Sequence, residues 1–340
     1  MVALIVFCFS SLDDSFSNTR TPFVEIMQAA LHDPVTTKCC APLTQYRSLG
    51  ECLVGNRRIQ SLIKDDLRAA GFEIVASEDA TEDTLHLPVD HLVEAGALRV
   101  LAETEESACM RDGRGDLVAW KGADHPDKCI RTIVTEEICF RIEYPWDLLQ
   151  LNENILTLMT ENKSEGKISP LAQIDGFVHL GEGSVILPGV YIEGNVVIGK
   201  GCKIGPNAYI RGNTSIGDRC IIGNAVEIKN SVIYPHTSIK HLSYVGDSII
   251  GAYVSLGAGT IIANHRHDGS NHHANIRGYR VNTQREKFGA LLGDSVRTGV
   301  NTCVYPGRRI GAGKRTRPNT IVDTDLMPPD PADDRRQSEF

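Results

Sequence analysis

The chain has 340 residues, 41% of them hydrophobic, and a formal net charge of -8 at pH 7. At about 100–200 residues per domain this length predicts two domains, and the hydrophobic content excludes disorder as the main state. The acidic balance, with a pI near 5.8, argues against a nucleic-acid binder, and no apolar run reaches the roughly 18 residues of a membrane span.

Residues 4–9 (LIVFCF) run into Asp13 and Asp14 with no Lys or Arg before them. They read as a buried first strand and not as a cleaved leader. The ten cysteines form no CxxC pair and sit in hydrophobic runs, the usage of reduced thiols in a cytoplasmic protein. Ile59, Leu62, Ile63, Leu67 and Ala70 recur at helical spacing and stop at Gly71, a natural residue just past a helix end. Residues 72–76, 98–102 and 130–134 read as further strands. Strands alternating with helices predict an α/β domain over residues 1–145. Pro145, Trp146 and Asp147 then open an amphipathic helix with Leu148, Leu151, Ile155, Leu156 and Met159 on one face. Asp147 is the expected N-cap. This helix and a linker, 146–164, are expected to cap the end of the domain that follows.

Composition changes there. Of 31 glycines only seven precede Gly166, and the polar stretch 162–166 (NKSEG) marks the boundary. Beyond it aliphatic residues stand every six positions from Ile168 through Ile186, Ile198 and Ile210 to Ile228. Five-residue steps lead on to Ile233 and later to Ile250. After an interruption the series returns at Leu292, Val304, Ile310 and Val322. A helix would show a period near 3.6 and a hairpin sheet a period of two, so this is a hexapeptide β-helix over residues 165–326. Residues 327–340, rich in proline and charge, read as a disordered tail.

Stacking turns the repeat into geometry. Residues 18 apart lie on adjacent coils, about 4.8 Å apart. Glu193, Arg211 and Lys229 are so spaced and form a vertical ladder. It is either a surface Glu–Arg salt bridge with a solvated lysine, or a phosphate clamp in which Glu193 orients Arg211. Cys202 and Cys220 stack at the inward small position, as core thiols. The five-residue step shortens the next coil to 17, which stacks Glu227 near Tyr244 and in the wall region of His241; a carboxylate there would raise the basicity of the imidazole. The interruption, 263–291, extrudes a loop with Arg266, Arg277, Arg280, Arg285 and Lys287 against Asp268 and Glu286. Its His265, His267, His272 and His273 have no carboxylate or thiol spaced to complete a metal site. The loop is expected to reach a neighbouring subunit or a phosphorylated ligand.

Three stretches together resemble a known family: Gly223-Asn224-Ala225-Val226-Glu227-Ile228-Lys229, His241-Leu242-Ser243-Tyr244-Val245-Gly246-Asp247 and Gly257-Ala258-Gly259-Thr260-Ile261. They are similar to the acetyltransferase domain of the bifunctional glucosamine-1-phosphate acetyltransferase / N-acetylglucosamine-1-phosphate uridyltransferase. Lys287-Phe288-Gly289, Gly293-Asp294 and Arg297-Thr298-Gly299-Val300 resemble its archaeal-type sugar-1-phosphate nucleotidylyltransferase relatives. The resemblance covers about residues 146–322 and implies a left-handed β-helix, acetyl-CoA as co-substrate, an amino-sugar phosphate as acceptor and a homotrimer. It implies His241 as general base with Glu227 beside it, Arg211, Lys229, Tyr244 and Asn264 as sugar-phosphate contacts, and the backbone N–H of Ala258 at the thioester oxygen.

The chain departs from that pattern in places. Ser255 replaces an asparagine, Val300 a coenzyme-contacting serine, and Ser270 and His273 stand where archaeal-type relatives have lysines. In the first half, Pro42-Leu43-Thr44 and the run from Gly55 to Ile59 faintly resemble a nucleotidyltransferase domain. The glycine-rich loop that would wrap a triphosphate is missing, since the first glycine is Gly50. A degenerate, inactive nucleotidyltransferase-like domain is expected, with Mg²⁺ only if that domain works. The alternatives are a working nucleotidyltransferase and a non-catalytic sugar-nucleotide-binding scaffold.

Overall fold

The structure is a computed structural model that describes residues 27–33, 40–122, 125–135, 140–276 and 278–328. The expected strand at 4–9 and nearly all of the expected tail lie outside the described residues. The chain forms two compact units. The first takes residues 27–33, 48–52 and the described part of 57–143; the second takes 40–47, 53–56 and 144–328.

The first unit is built on a six-stranded mixed sheet in the order Phe72–Ile74, Met27–His32, Leu85–Pro88, Leu117–Lys121, Ala108–Arg111, Arg131–Val134. The first three strands run parallel, and Leu117–Lys121 is antiparallel to both its neighbours. Helix α1 (Ile59–Ala69) buries Ile59, Leu62, Ile63 and Leu67, the stripe its spacing dictates, and Gly71 follows at φ 89°. Residues 98–102, expected as a strand, belong to helix α2 (Ala95–Ala102). In a strand Leu98 and Val100 would share a face, yet Leu98 is 2% exposed and Val100 57%. Ala97, Leu98 and Leu101 face inward together, which only a helix arranges. The first described strand is Met27–His32, and the following residues 33–47 contain no glycine.

The second unit is a three-faced parallel β-solenoid. Its first face holds eight strands from Lys163–Ser164 to Arg308–Ile310, the second six from Lys167–Ile168 to Ser255–Leu256, and the third eight from Gln173–Asp175 to Ile321–Val322. Register advances by 18 at Ile192↔Ile210 and Ile204↔Ile222. It advances by 17 at Ser215↔Val232 and Glu227↔Tyr244, as the shortened steps require. The central coils turn one aliphatic per face inward, and Ile192, Ile204, Ile210, Ile216 and Ile228 are fully buried, while Thr298 and Thr316 take the second-face position on the last two coils. The thiols of Cys202 and Cys220 are buried among them and donate to the carbonyls of Gly217 (3.0 Å) and Tyr234 (3.2 Å).

Helix α3 (Pro145–Thr157) is capped by Tyr144, with Asp147 at its third position accepting the Tyr144 N–H at 2.7 Å. Asp147 therefore caps from inside the helix and is not the N-cap. Nor does α3 cover the end of the solenoid, where Leu171 stays 73% exposed. It lies along the side: Asn195 and Asn213, on successive coils, donate to the carbonyls of Leu156 and Glu153, and Asn230 on the next coil donates to the Glu153 carboxylate. Residues 40–47 and 53–56 run along the solenoid too. Asn56 donates to the Ile216 carbonyl, the Leu53 N–H to the Tyr234 hydroxyl, and Arg47 pairs with Asp294. Ser215, Val232, Ile249 and Leu291, alternating with the core residues of the first face, are thereby buried as well.

Candidate functional site

The third face carries the predicted ladder: Glu193 pairs with Arg211, Arg211 with Lys229, and Lys229 with Gly246. The side chains, however, reach upward. Arg211 donates through Nε and Nη2 to one oxygen of Glu227, at 2.8 and 2.7 Å. Glu193 accepts the Tyr209 hydroxyl. Glu193 thus does not orient Arg211; Glu227 does, with the guanidinium 5.5 Å from the Tyr209 ring centroid. Among the described residues Glu227 makes no hydrogen bond to His241, so a direct carboxylate–imidazole pair is absent.

Lys229 Nζ lies 2.8 Å from Asp247 Oδ2, and the Asn264 amide donates to the same oxygen. Tyr244 stands over Glu227 in register, as expected. A Cβ at Gly246 would fall 2.7 Å from Asn264 Nδ2 and against the Tyr244 hydroxyl, so only glycine lets those two groups converge there. Burial first, then the charges of Asp247 and Glu227, raise the Tyr244 pKa and keep its phenol a proton donor. Arg211, Glu227, Lys229, Tyr244 and Asn264 thus form one polar cluster on the third face.

His241 ends the strand Ser238–His241, and Leu242 turns the corner to the third face at φ 49°. The imidazole is exposed and has no side-chain partner among the described residues. The Gly259 N–H donates to the His241 carbonyl (3.1 Å) and the Asn301 N–H to that of Ala258 (2.8 Å). Asn224, His241, Ala258 and Val300 therefore stack at one corner, about 4.8 Å apart. The N–H of Ala258 is given to no described residue. A free donor thus sits one coil above a free imidazole.

The loop between Ala263 and Leu291 forms a hairpin, His273–Ile276 with Tyr279–Asn282. Ser270 is spent on Asp268, which also pairs with Arg266. His265 meets Glu286 at 3.3 Å, and buried His272 bonds the Asn264 carbonyl at 3.2 Å. No group of three or more His, Cys, Asp or Glu converges among the described residues. Sequence reasoning gave no role to Asp247, Asn230 or Glu153. A signal was present: Gly176, Gly194 and Gly212 recur at one corner, and the next two coils put Asn230 and Asp247 there.

Comparison with known proteins bears out the resemblance. The family described as the GMPPB C-terminal domain matches residues 192–308. A bifunctional sugar-1-phosphate nucleotidylyltransferase/acetyltransferase of Sulfurisphaera tokodaii is 36% identical over 244 residues, 71% of this chain and 61% of the relative. That share exceeds what residues 145–340 can supply, so the similarity reaches into the α/β unit. Bifunctional proteins GlmU of two Methanococcus maripaludis strains, C7 and S2, are 52% and 46% identical over 185 residues, 54% of this chain and 44% of each relative. The chain thus spans 44% to 61% of the length of these relatives.

Proposed function

We propose that the β-solenoid is an acetyl-CoA-dependent N-acetyltransferase acting on an amino-sugar phosphate, with glucosamine 1-phosphate the acceptor, in nucleotide-sugar biosynthesis. The observation that carries this reading is the corner that stacks His241 beneath the free N–H of Ala258, beside the cluster of Arg211, Lys229, Tyr244 and Asn264. The acetyltransferase activity named for relatives of this region supports it.

In the proposed reaction His241 takes a proton from the acceptor ammonium, and the freed amine attacks the thioester carbon. The Ala258 N–H donates to the oxygen that becomes negative, where a fixed donor is worth most. The tetrahedral adduct then collapses and expels the coenzyme thiolate; the proton still carried by the attacking nitrogen passes to that thiolate, the proton on His241 returns to solvent, and the N-acetylated sugar and free coenzyme thiol remain. Arg211 and Lys229 hold the phosphate. Each is seated by a carboxylate, Glu227 and Asp247, and keeps N–H groups for the ligand. Glu227 acts here through Arg211.

The exposed His241, with Leu242 64% and Val300 46% exposed on the same corner, supports a homotrimer in which a second copy forms the other wall of the pocket. The absence of glycine from residues 33–47 supports a first unit that transfers no nucleotide. Mg²⁺ would matter only to that unit. No helix of the described residues is long and apolar enough to cross a membrane, and a cytoplasmic location completes the proposal.

A thiol-release assay with acetyl-CoA against amino sugars and their 1-phosphates tests the reading. Release with glucosamine 1-phosphate is expected. A flat response across the panel would favour the non-catalytic scaffold, and pyrophosphate release from UTP and a sugar 1-phosphate would favour a working nucleotidyltransferase.

A further inference from the structure

At the corner between the third and first faces the chain reverses with a positive φ on five successive coils. The lower coils meet this demand with glycine: Gly176, Gly194 and Gly212, at φ 147°, 98° and 69°. The next two place Asn230 and Asp247 there, both at φ 46°. Asn and Asp enter this conformation more readily than other residues with a Cβ, and Asn207, Ala225 and Leu242 adopt it at another corner, so what sets Asn230 and Asp247 apart is the work of their side chains. These are the coils that carry Lys229 and Tyr244.

The Asp247 side chain is 3% exposed and accepts three donors: Lys229 Nζ and the Asn264 amide on Oδ2, and Asn230 Nδ2 on Oδ1 at 2.9 Å. Asn230 is held in turn by the Glu153 carboxylate of α3, 2.6 Å away, and Glu153 is paired with Arg285 of the loop. The cost of burying the carboxylate is thus met by Lys229 and Asn264 on one oxygen and by Asn230 on the other.

We propose that Asp247 is a positioning residue: its buried carboxylate, fixed through Asn230 and Glu153, aims Lys229 and Asn264 together at one phosphorylated acceptor. This rests on the proposed acetyl transfer for the identity of the acceptor. Asn cannot replace the carboxylate, because all three donors point at it and one would face an NH₂ group. Gly can replace the backbone, because the lower coils already use it. Substitution to glycine therefore separates the side chain's work from the corner's.

The experiment uses the full chain and Asp247→Gly, Asp247→Asn, Lys229→Ala and the Asp247→Gly/Lys229→Ala double variant. Calorimetry reads the Kd for glucosamine 1-phosphate, and kinetics read kcat and both KM values. Asp247→Gly is expected to keep its melting temperature within a few degrees and to weaken sugar-phosphate binding at least tenfold, with the acetyl-CoA KM unchanged. The double variant should be no weaker than the weaker single one. Asp247→Asn should show the same acceptor-specific loss, which keeps the test open should the glycine variant fold poorly. Wild-type Kd in a folded variant would overturn the proposal, as would additive losses in the double variant or equal losses in both KM values. If the wild-type chain binds the sugar phosphate without turning it over, acetyl transfer falls while the Kd series still decides Asp247. No binding by the wild type overturns both.

Discussion

The β-solenoid and the α/β unit differ in what fixes a residue's neighbours. In the solenoid the backbone register does: Glu227 lies beside Tyr244 because they are one coil apart. In the α/β unit Met27–His32 lies between Phe72–Ile74 and Leu85–Pro88, partners about fifty residues away that no local pattern announces. A repeat thus converts sequence spacing into distance, and a site built on it is readable to the extent that contacts run between coils.

The largest expected effect lies in the solenoid core. Ile210 is fully buried between Ile192 and Ile228. Ile210→Ala should destabilise the solenoid by about 2–5 kcal/mol in denaturant unfolding, because stacked coils cannot collapse onto the cavity. A loss near zero would mean that the interior repacks freely. Next come the cations: Arg211→Ala or Lys229→Ala should each cost about 1.5–3 kcal/mol in kcat/KM for a phosphorylated acceptor, through loss of a charge-assisted bond. An unphosphorylated amino sugar should hardly respond, and equal sensitivity would remove the phosphate clamp.

Outside the repeat the expected effects are smaller and local. Gly71 ends α1 at φ 89° with nothing within 4 Å of a new Cβ. Gly71→Ala should therefore cost only the conformational term, about 1–2 kcal/mol, in thermal unfolding. The weakest expected effect is a pH dependence of the α/β unit. His32 and His86 bond each other at 2.7 Å beside Trp120, and burial lowers both pKa values from 6.5. The folded unit then binds fewer protons than the unfolded chain below that pH. Stability should be fully present above 6.5 and decline as pH falls toward the depressed values. A fluorescence melt of Trp120 unchanged between pH 8 and pH 5 would contradict this.

The legibility of the sequence followed the same division. The solenoid, its shortened coils, the ladder through Arg211 and Lys229 and the stacked core thiols were readable because periodicity encodes them. Side-chain direction was not: the ladder is symmetric up and down, and spacing does not tell that Glu193 takes the Tyr209 hydroxyl while Arg211 turns to Glu227. The role of α3 was missed because its apolar face fits an end or a flank equally well, and the asparagines that dock it look like ordinary turn residues. In the α/β unit α1 was readable from its stripe, whereas α2 is one short turn pair whose apolar run also fits a strand.

The proposed base of acetyl transfer, His241, lies free at its corner beneath the Ala258 N–H. The direct test is thiol release from acetyl-CoA with saturating glucosamine 1-phosphate, wild type against His241→Ala. A fall in kcat of ~10²–10⁴ is expected, the contribution of a positioned general base, with the acetyl-CoA Kd unchanged. Wild-type turnover in His241→Ala would contradict that role.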